Sequence, residues 1–310
     1  MDDTSEPRSR NAGDPRHLPR WAAWVAADDV FALAEGPVWD QPRRRVLWVD
    51  IDAGTVHEGR LDGDRIVRTA SHPVDRTVGA VACSRAGDLL VAAAQALVVL
   101  TGTGQRLPGP AILPPGSPRR LNDGRCDPAG AFLVGSMALD GDGGHEVLVR
   151  VERDGRVTVL DSDLTLSNGL AWSPDGGRMY SIDSTPGTVW VRGYDAVTGV
   201  VGPRRELLRI TDGDPDGMCV DVEGHLWIAV WGTGQVRRYT PDGVLAGIID
   251  VPAPHTSSVA FVGDDLDLLL ITSATADLTS DQAARHPDSG RLFLARVGTT
   301  GLPATPWAGR

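Results

Sequence analysis

The chain has 310 residues, with 30 basic and 41 acidic side chains and a formal net charge of −11. That balance argues against a nucleic-acid or anionic-membrane surface, either of which needs a basic patch. An apolar fraction of 41% with 9 tryptophans can fill a large core, which excludes wholesale disorder.

In chain order, residues 1–20 are polar and read as a loose tail without the apolar region of a secretory signal. Residues 21–310 carry no evident linker and read as a single domain. Residues 24–33 are a candidate strand. Short apolar runs follow at 46–49, 89–92, 147–151, 157–160, 226–230 and 268–271, and 291–297 is a last candidate strand. Turns such as Arg153-Asp154-Gly155 and Pro241-Asp242-Gly243 separate them. This is the pattern of an all-β protein. No apolar run reaches the roughly 20 residues of a membrane-spanning helix. Three widely spaced cysteines, Cys83, Cys126 and Cys219, suit a reduced, cytoplasmic protein.

One frame recurs along the chain. Asp216-Gly217-Met218-Cys219-Val220-Asp221 aligns without a gap on Asn122-Asp123-Gly124-Arg125-Cys126-Asp127. Asn168-Gly169-Leu170-Ala171-Trp172 and Glu35-Gly36-Pro37-Val38-Trp39 fit it too, and weaker copies begin at Gly79 and Ser257. The starts are 41 to 48 residues apart, the length of one propeller blade. Six copies predict a six-bladed β-propeller with four-stranded antiparallel blades. Trp39, Cys83, Cys126, Trp172, Val220 and Phe261 share one position and read as core between the sheets. The runs 24–33 and 291–297 are expected to pair in one blade and close the ring.

Inner strands run along a propeller axis, so equivalent residues at one end converge. The first position of the frame reads Glu35, Gly79, Asn122, Asn168, Asp216 and Ser257. Asparagine is scarce, at positions 11, 122 and 168 only, yet two of the three fall here. Turn preference alone explains neither Glu35 nor the convergence. Glu, Asn and Asp offer oxygen donors, which suit a hard divalent ion such as Ca²⁺, Mg²⁺ or Mn²⁺. Two carboxylates balance the charge, and three protein ligands leave positions open for water and substrate.

Four motifs carry a resemblance: Ala34-Glu35-Gly36-Pro37-Val38-Trp39, Arg120-Leu121-Asn122-Asp123-Gly124, Ser167-Asn168-Gly169-Leu170-Ala171-Trp172 and Pro215-Asp216-Gly217-Met218-Cys219. In this order they resemble the gluconolactonase/regucalcin family, which includes senescence marker protein and luciferin-regenerating enzyme. The resemblance runs from about residue 24 to the end. It implies a six-bladed propeller with one divalent ion (calcium, zinc, manganese, magnesium or iron) that hydrolyses sugar lactones. It implies Glu35, Asn168 and Asp216 as metal ligands, with Asp216 also the base for water. It implies Arg120 and Asn122 as groups that hold the substrate. Asp140 falls where members carry a sugar-contacting carboxylate, and is one methylene shorter than the Glu found there. A sugar lactone is then the expected partner, with no nucleic acid and no membrane. The sequence leaves the oligomeric state open. Two alternatives stand beside a sugar lactonase: a lactonase or esterase of non-sugar substrates, and a calcium-binding propeller without turnover.

Other signals point elsewhere and are weaker. Residues 212–223 match the EF-hand loop pattern, but a strand follows where a helix is needed. No Gly-x-Ser-x-Gly elbow is present. His255 and Trp231 read as packing or rim residues beside the axial anchors. Arg43-Arg44-Arg45 reads as a solvated face.

Overall fold

The computed structural model describes residues 18–141 and 143–309. Most of the expected N-terminal tail therefore lies outside the described residues. Two short strands lead in: β1 (Arg20–Ala22) and β2 (Trp24–Val25). Blade one holds β3 (Ala34–Asp40), β4 (Arg45–Asp50), β5 (Thr55–Asp62) and β6 (Arg65–Pro73). Blade two holds β7 (Val78–Cys83), β8 (Leu89–Ala93), β9 (Ala96–Leu100) and β10 (Arg106–Ala111). Blade three holds β11 (Arg119–Cys126), β12 (Phe132–Ala138), β13 (Glu146–Val151) and β14 (Val157–Leu164). Blade four holds β15 (Ser167–Trp172), β16 (Arg178–Asp183), β17 (Thr188–Gly193) and β18 (Arg205–Arg209). Blade five holds β19 (Asp214–Val220), β20 (Leu226–Trp231), β21 (Gln235–Tyr239) and β22 (Leu245–Asp250). Blade six holds β23 (Thr256–Val262), β24 (Leu268–Ser273) and β25 (Phe293–Arg296), with the short helix α1 (Ser280–Arg285) in the connection before β25.

Each blade is an antiparallel meander, and β3, β7, β11, β15, β19 and β23 pack side by side in a closed ring. The six predicted blades are present. Closure is the predicted pairing, in a shorter form. In the 24–33 run Trp24 and Val25 pair with Leu294 and Phe293, while Leu33 bridges to Ala274. The sheet order is β2-β25-β24-β23, so the N-terminal segment supplies the outer strand of the last blade. β1 adds an unforeseen fifth strand, parallel to β22, on blade five. Arg20 pairs there with Asp250, and the Trp21 ring sits 5.4 Å from that of Trp227.

The apolar alternation of the strands fills the spaces between blades. Trp48, Trp227, Tyr180, Phe132 and Phe293 are almost wholly removed from solvent. The shared position of Trp39, Cys83, Cys126, Trp172, Val220 and Phe261 is buried, as expected, and these residues also border a cavity of about 550 Å³ in the channel. Residues 302–306 line the same cavity. The segment around them crosses between blades: Gly301 N donates to Leu266 O, Trp307 N to Cys83 O and Ala308 N to Gly130 O, at 2.9, 2.8 and 2.9 Å. The three cysteines are free and buried.

Ion pairs stitch this end of the inner strands. Asp40, Asp127 and Asp221 end or follow β3, β11 and β19 and are almost fully buried. They meet Arg45 at 2.8 Å, Arg150 at 2.9 Å and Arg238 at 2.7 Å. Arg45 is thus a half-buried partner of Asp40 and Glu58, not part of a solvated face. Burial of a carboxylate is tolerated only when it is paired and hydrogen-bonded, which fixes these positions.

A candidate axial site at the bulges of the inner strands

The polar anchors lie where every inner strand carries one extra residue. The ladder skips between Glu35 and Val38, Val78 and Ala80, Leu121 and Gly124, Asn168 and Leu170, Pro215 and Met218, and Thr256 and Val259. A bulge bends the strand and re-aims a side chain out of the pleat. Six bulges at one level therefore turn the anchors out of the sheets. Anchors that are not acids or amides serve the ring itself. A Cβ on Gly79 would lie 2.4 Å from Asn122 O, so glycine there lets blade three come close. Ser257 Oγ donates to Ala34 O at 2.6 Å and joins blade six to blade one.

Glu35, Asn122, Asn168 and Asp216 are all buried, each no more than 9% exposed. Glu35 accepts from Gly36 N at 2.8 Å. Its carboxyl is pushed up to about 8, first by burial and then by the Asp123 charge, with Arg120 and the Ser258 hydroxyl opposing. Burial, Glu35 and Asp123 push the Asp216 carboxyl well above its usual range, with Arg120 opposing. Burial also raises Asp123, with Arg125 opposing. The three carboxylates therefore share a region short of positive charge. A divalent cation there would relieve both burial and repulsion, and the donors are all oxygen. The residues present fit such an ion.

A directed chain of hydrogen bonds crosses blades three to five. Arg120 Nη1 donates to Asn122 Oδ1 at 2.5 Å. Asn122 Nδ2 donates to Asn168 Oδ1 at 2.8 Å and to Ser167 O at 3.0 Å. Asn168 Nδ2 donates to Ser184 Oγ at 2.9 Å, and Ser184 Oγ donates to Pro215 O at 2.6 Å. Arg120 is 7% exposed, and burial lowers its pKa against the charges of Asp52, Glu35 and Asp216. At the same end of blade five, the Trp231 and His255 rings stack at 4.2 Å and 12°. His255 Nδ1 donates to Ala276 O at 2.9 Å, and burial lowers its pKa, with that hydrogen bond opposing.

The structure thus brings Glu35, Asn122, Asn168, Asp216 and Arg120 together. Asp140 is exposed in the segment after β12. Asp123, Ser184 and Ser258 were not picked out from the sequence. Asp123 was hidden beside Asn122 as a turn residue, and Ser184 lies outside the repeated frame. The EF-hand resemblance fails on structure, because Asp214–Val220 is a strand. Asp221, Glu223 and His225 bring three potential ligand atoms within 4.8 Å of one another. Arg238 already occupies that cluster, bonding to both acids, and Trp227 Nε1 donates to Asp221 at 3.0 Å. It is a structural ion pair rather than a vacant metal site.

The model of the SMP-30/gluconolactonase/LRE-like region matches residues 33–275. The chain belongs to that family. It is 38% identical over 287 residues to the pentonolactonase of Haloferax volcanii, covering 89% of this chain and 94% of that one. It is 34% identical over 304 residues to the L-arabinolactonase of Azospirillum brasilense, covering 94% and 97%. Among solved structures, a calcium-binding regucalcin from Agrobacterium tumefaciens matches with a TM-score of 0.86 and 30% identity, covering 93% and 98%. Among the described residues, no helix is long and apolar enough to cross a membrane.

Proposed function

We propose that this family member is a sugar lactonase that depends on a divalent ion held by Glu35, Asn168 and Asp216. The observation that carries the proposal is the convergence of these buried oxygen donors with the Arg120-to-Asn168 hydrogen-bond chain at one level of the axis. The lactonase names of two relatives covering most of the chain support the reaction class. A calcium-binding structural relative supports a divalent ion, whose identity stays open among calcium, zinc, manganese, magnesium and iron.

When bound, such an ion would polarise the lactone carbonyl and make a water more acidic. The chain's own residues do the rest. Asp216, as the anion, accepts the proton of the attacking water. Water adds to the carbonyl carbon, and the ring C–O bond then breaks. The proton on Asp216 passes to the departing ring oxygen, giving an aldonic acid. Arg120 places its positive charge where negative charge grows on oxygen, and Asn122 holds it there. Trp231, seated on His255, offers an apolar face to the C–H side of a sugar ring. The polar lining favours a polyhydroxylated lactone over a greasy ester.

Proton release from a panel of aldonolactones, with and without chelator, tests the reading. Turnover that stops with chelator and returns with added ion supports it. Turnover indifferent to chelator refutes the metal role, and a preference for non-sugar esters refutes the substrate class. Ion binding without turnover of any lactone leaves the non-catalytic alternative.

A further inference from the structure

We propose that Ser184 is a positioning residue: it decides which atom of Asn168 faces the axis. The inference rests on the reading of Asn168 as an ion ligand. An asparagine amide has an oxygen end and a nitrogen end of nearly equal shape, and only the oxygen can bind a cation. Something must select the orientation. Pro215 O can only accept, and Ser184 Oγ lies 2.6 Å from it, so the single Ser184 hydrogen is committed to that carbonyl. Toward Asn168, 2.9 Å away, Ser184 can then only accept. The nitrogen end of Asn168 is drawn to Ser184, and the oxygen end is turned to the other side.

The opposite side agrees. Ser167 O also can only accept, which fixes the nitrogen of Asn122 toward blade four. That nitrogen donates to Asn168 Oδ1 at 2.8 Å. Two main-chain carbonyls, at the start of β15 and within β19, thus polarise both amides in one direction. Asn168 Oδ1 keeps a second lone pair for a cation. Ser184 is only 4% exposed and follows β16, outside the frame that supplies the anchors. Partners that orient a ligand in this way commonly govern affinity by 10- to 100-fold, and about that range is expected here.

The test uses the full chain stripped with chelator and titrated with Ca²⁺ or Mn²⁺ by calorimetry. Ser184→Ala is expected to weaken binding by about 10- to 100-fold, and Ser184→Thr, which keeps the hydroxyl, to restore it. A carboxylate presents oxygen whichever way it turns. In an Asn168→Asp background, Ser184→Ala should therefore leave affinity within about twofold. Unchanged affinity of Ser184→Ala in the native background overturns the proposal. An equal loss in both backgrounds also overturns it, because the damage is then not one of orientation. Failure of the unaltered chain to bind either ion refutes the metal reading itself and removes the basis of the proposal. Melting temperatures without metal separate a folding defect from lost affinity.

Discussion

The Asn122 amide nitrogen lies 2.8 Å from Asn168 Oδ1 and 3.0 Å from Ser167 O, so one amide ties the inner strands of blades three and four together at the axis. The two asparagines that stand out in the composition are therefore partners. One carries the pull of Arg120, and the other has its oxygen turned away from Ser184. Changes at either end of this chain are expected to reach the middle.

Asp216→Asn keeps the shape of the site and removes the base. Loss of general-base catalysis is expected to lower kcat by about 10²–10⁴-fold. Initial rates of proton release would show it. A variant with full activity would remove Asp216 from the mechanism.

Metal removal should expose the strain among the acids. Glu35 sits near 8 in the ion-free fold against an ordinary 4.5. The fold thus prefers the protonated carboxyl. The stability due to that preference is present below about pH 4.5 and is lost as pH rises toward 8. The chelated protein is expected to melt at lower temperature at pH 8 than at pH 5.5. The stabilisation by added ion should grow over the same range, because ion and proton compete. Scanning calorimetry at both pH values checks this, and a flat profile in chelator contradicts it.

Trp231→Ala removes the ring stacked on His255, which the proposed function sets against the sugar. An aromatic contact of about 0.5–1.5 kcal/mol corresponds to a roughly 2- to 10-fold rise in KM. Trp231→Phe should recover most of it, and kcat should change little. A fall in kcat at constant KM would place Trp231 in a different role.

Asp221→Ala addresses the second acidic cluster. It takes the buried carboxylate from Arg238, which keeps only Glu223, and strands the Trp227 N–H, at a cost of about 3 kcal/mol. The melting temperature should fall sharply while ion affinity in the folded protein holds. Loss of ion affinity without loss of stability would make this cluster a metal site instead.

Much of the fold was legible because the frame of Glu35, Asn122, Asn168 and Asp216 repeats at blade length. Those residues also mark the ends of inner strands. The pairing of Trp24 with Leu294 followed from the need to leave no open edge. β1 was not legible, since its three residues are too few for a pattern and they join β22 through main chain. Asp123 was masked by its neighbour, because a strand without a bulge would send adjacent residues to opposite faces. Ser184 was invisible for a different reason. It acts through a main-chain carbonyl, and main chain leaves no trace in sequence. Asp140 stood out only by resemblance, and it occupies an exposed loop.

The bulges have a consequence for how such a molecule changes over generations. Asn122 and Asp216 lie in the unpaired stretch of a bulge, whereas Glu35 and Asn168 stand at its edge, paired with Val49 and Ile182. The ladder is made by main chain, so at these positions the side chain carries the chemistry and the backbone the architecture. The four acid and amide positions can be refilled one at a time while the sheets stay paired, whereas Gly79 is held by the close approach of blade three. A ring built this way can exchange one reaction for another by substitutions at the axis alone, without first becoming a different fold.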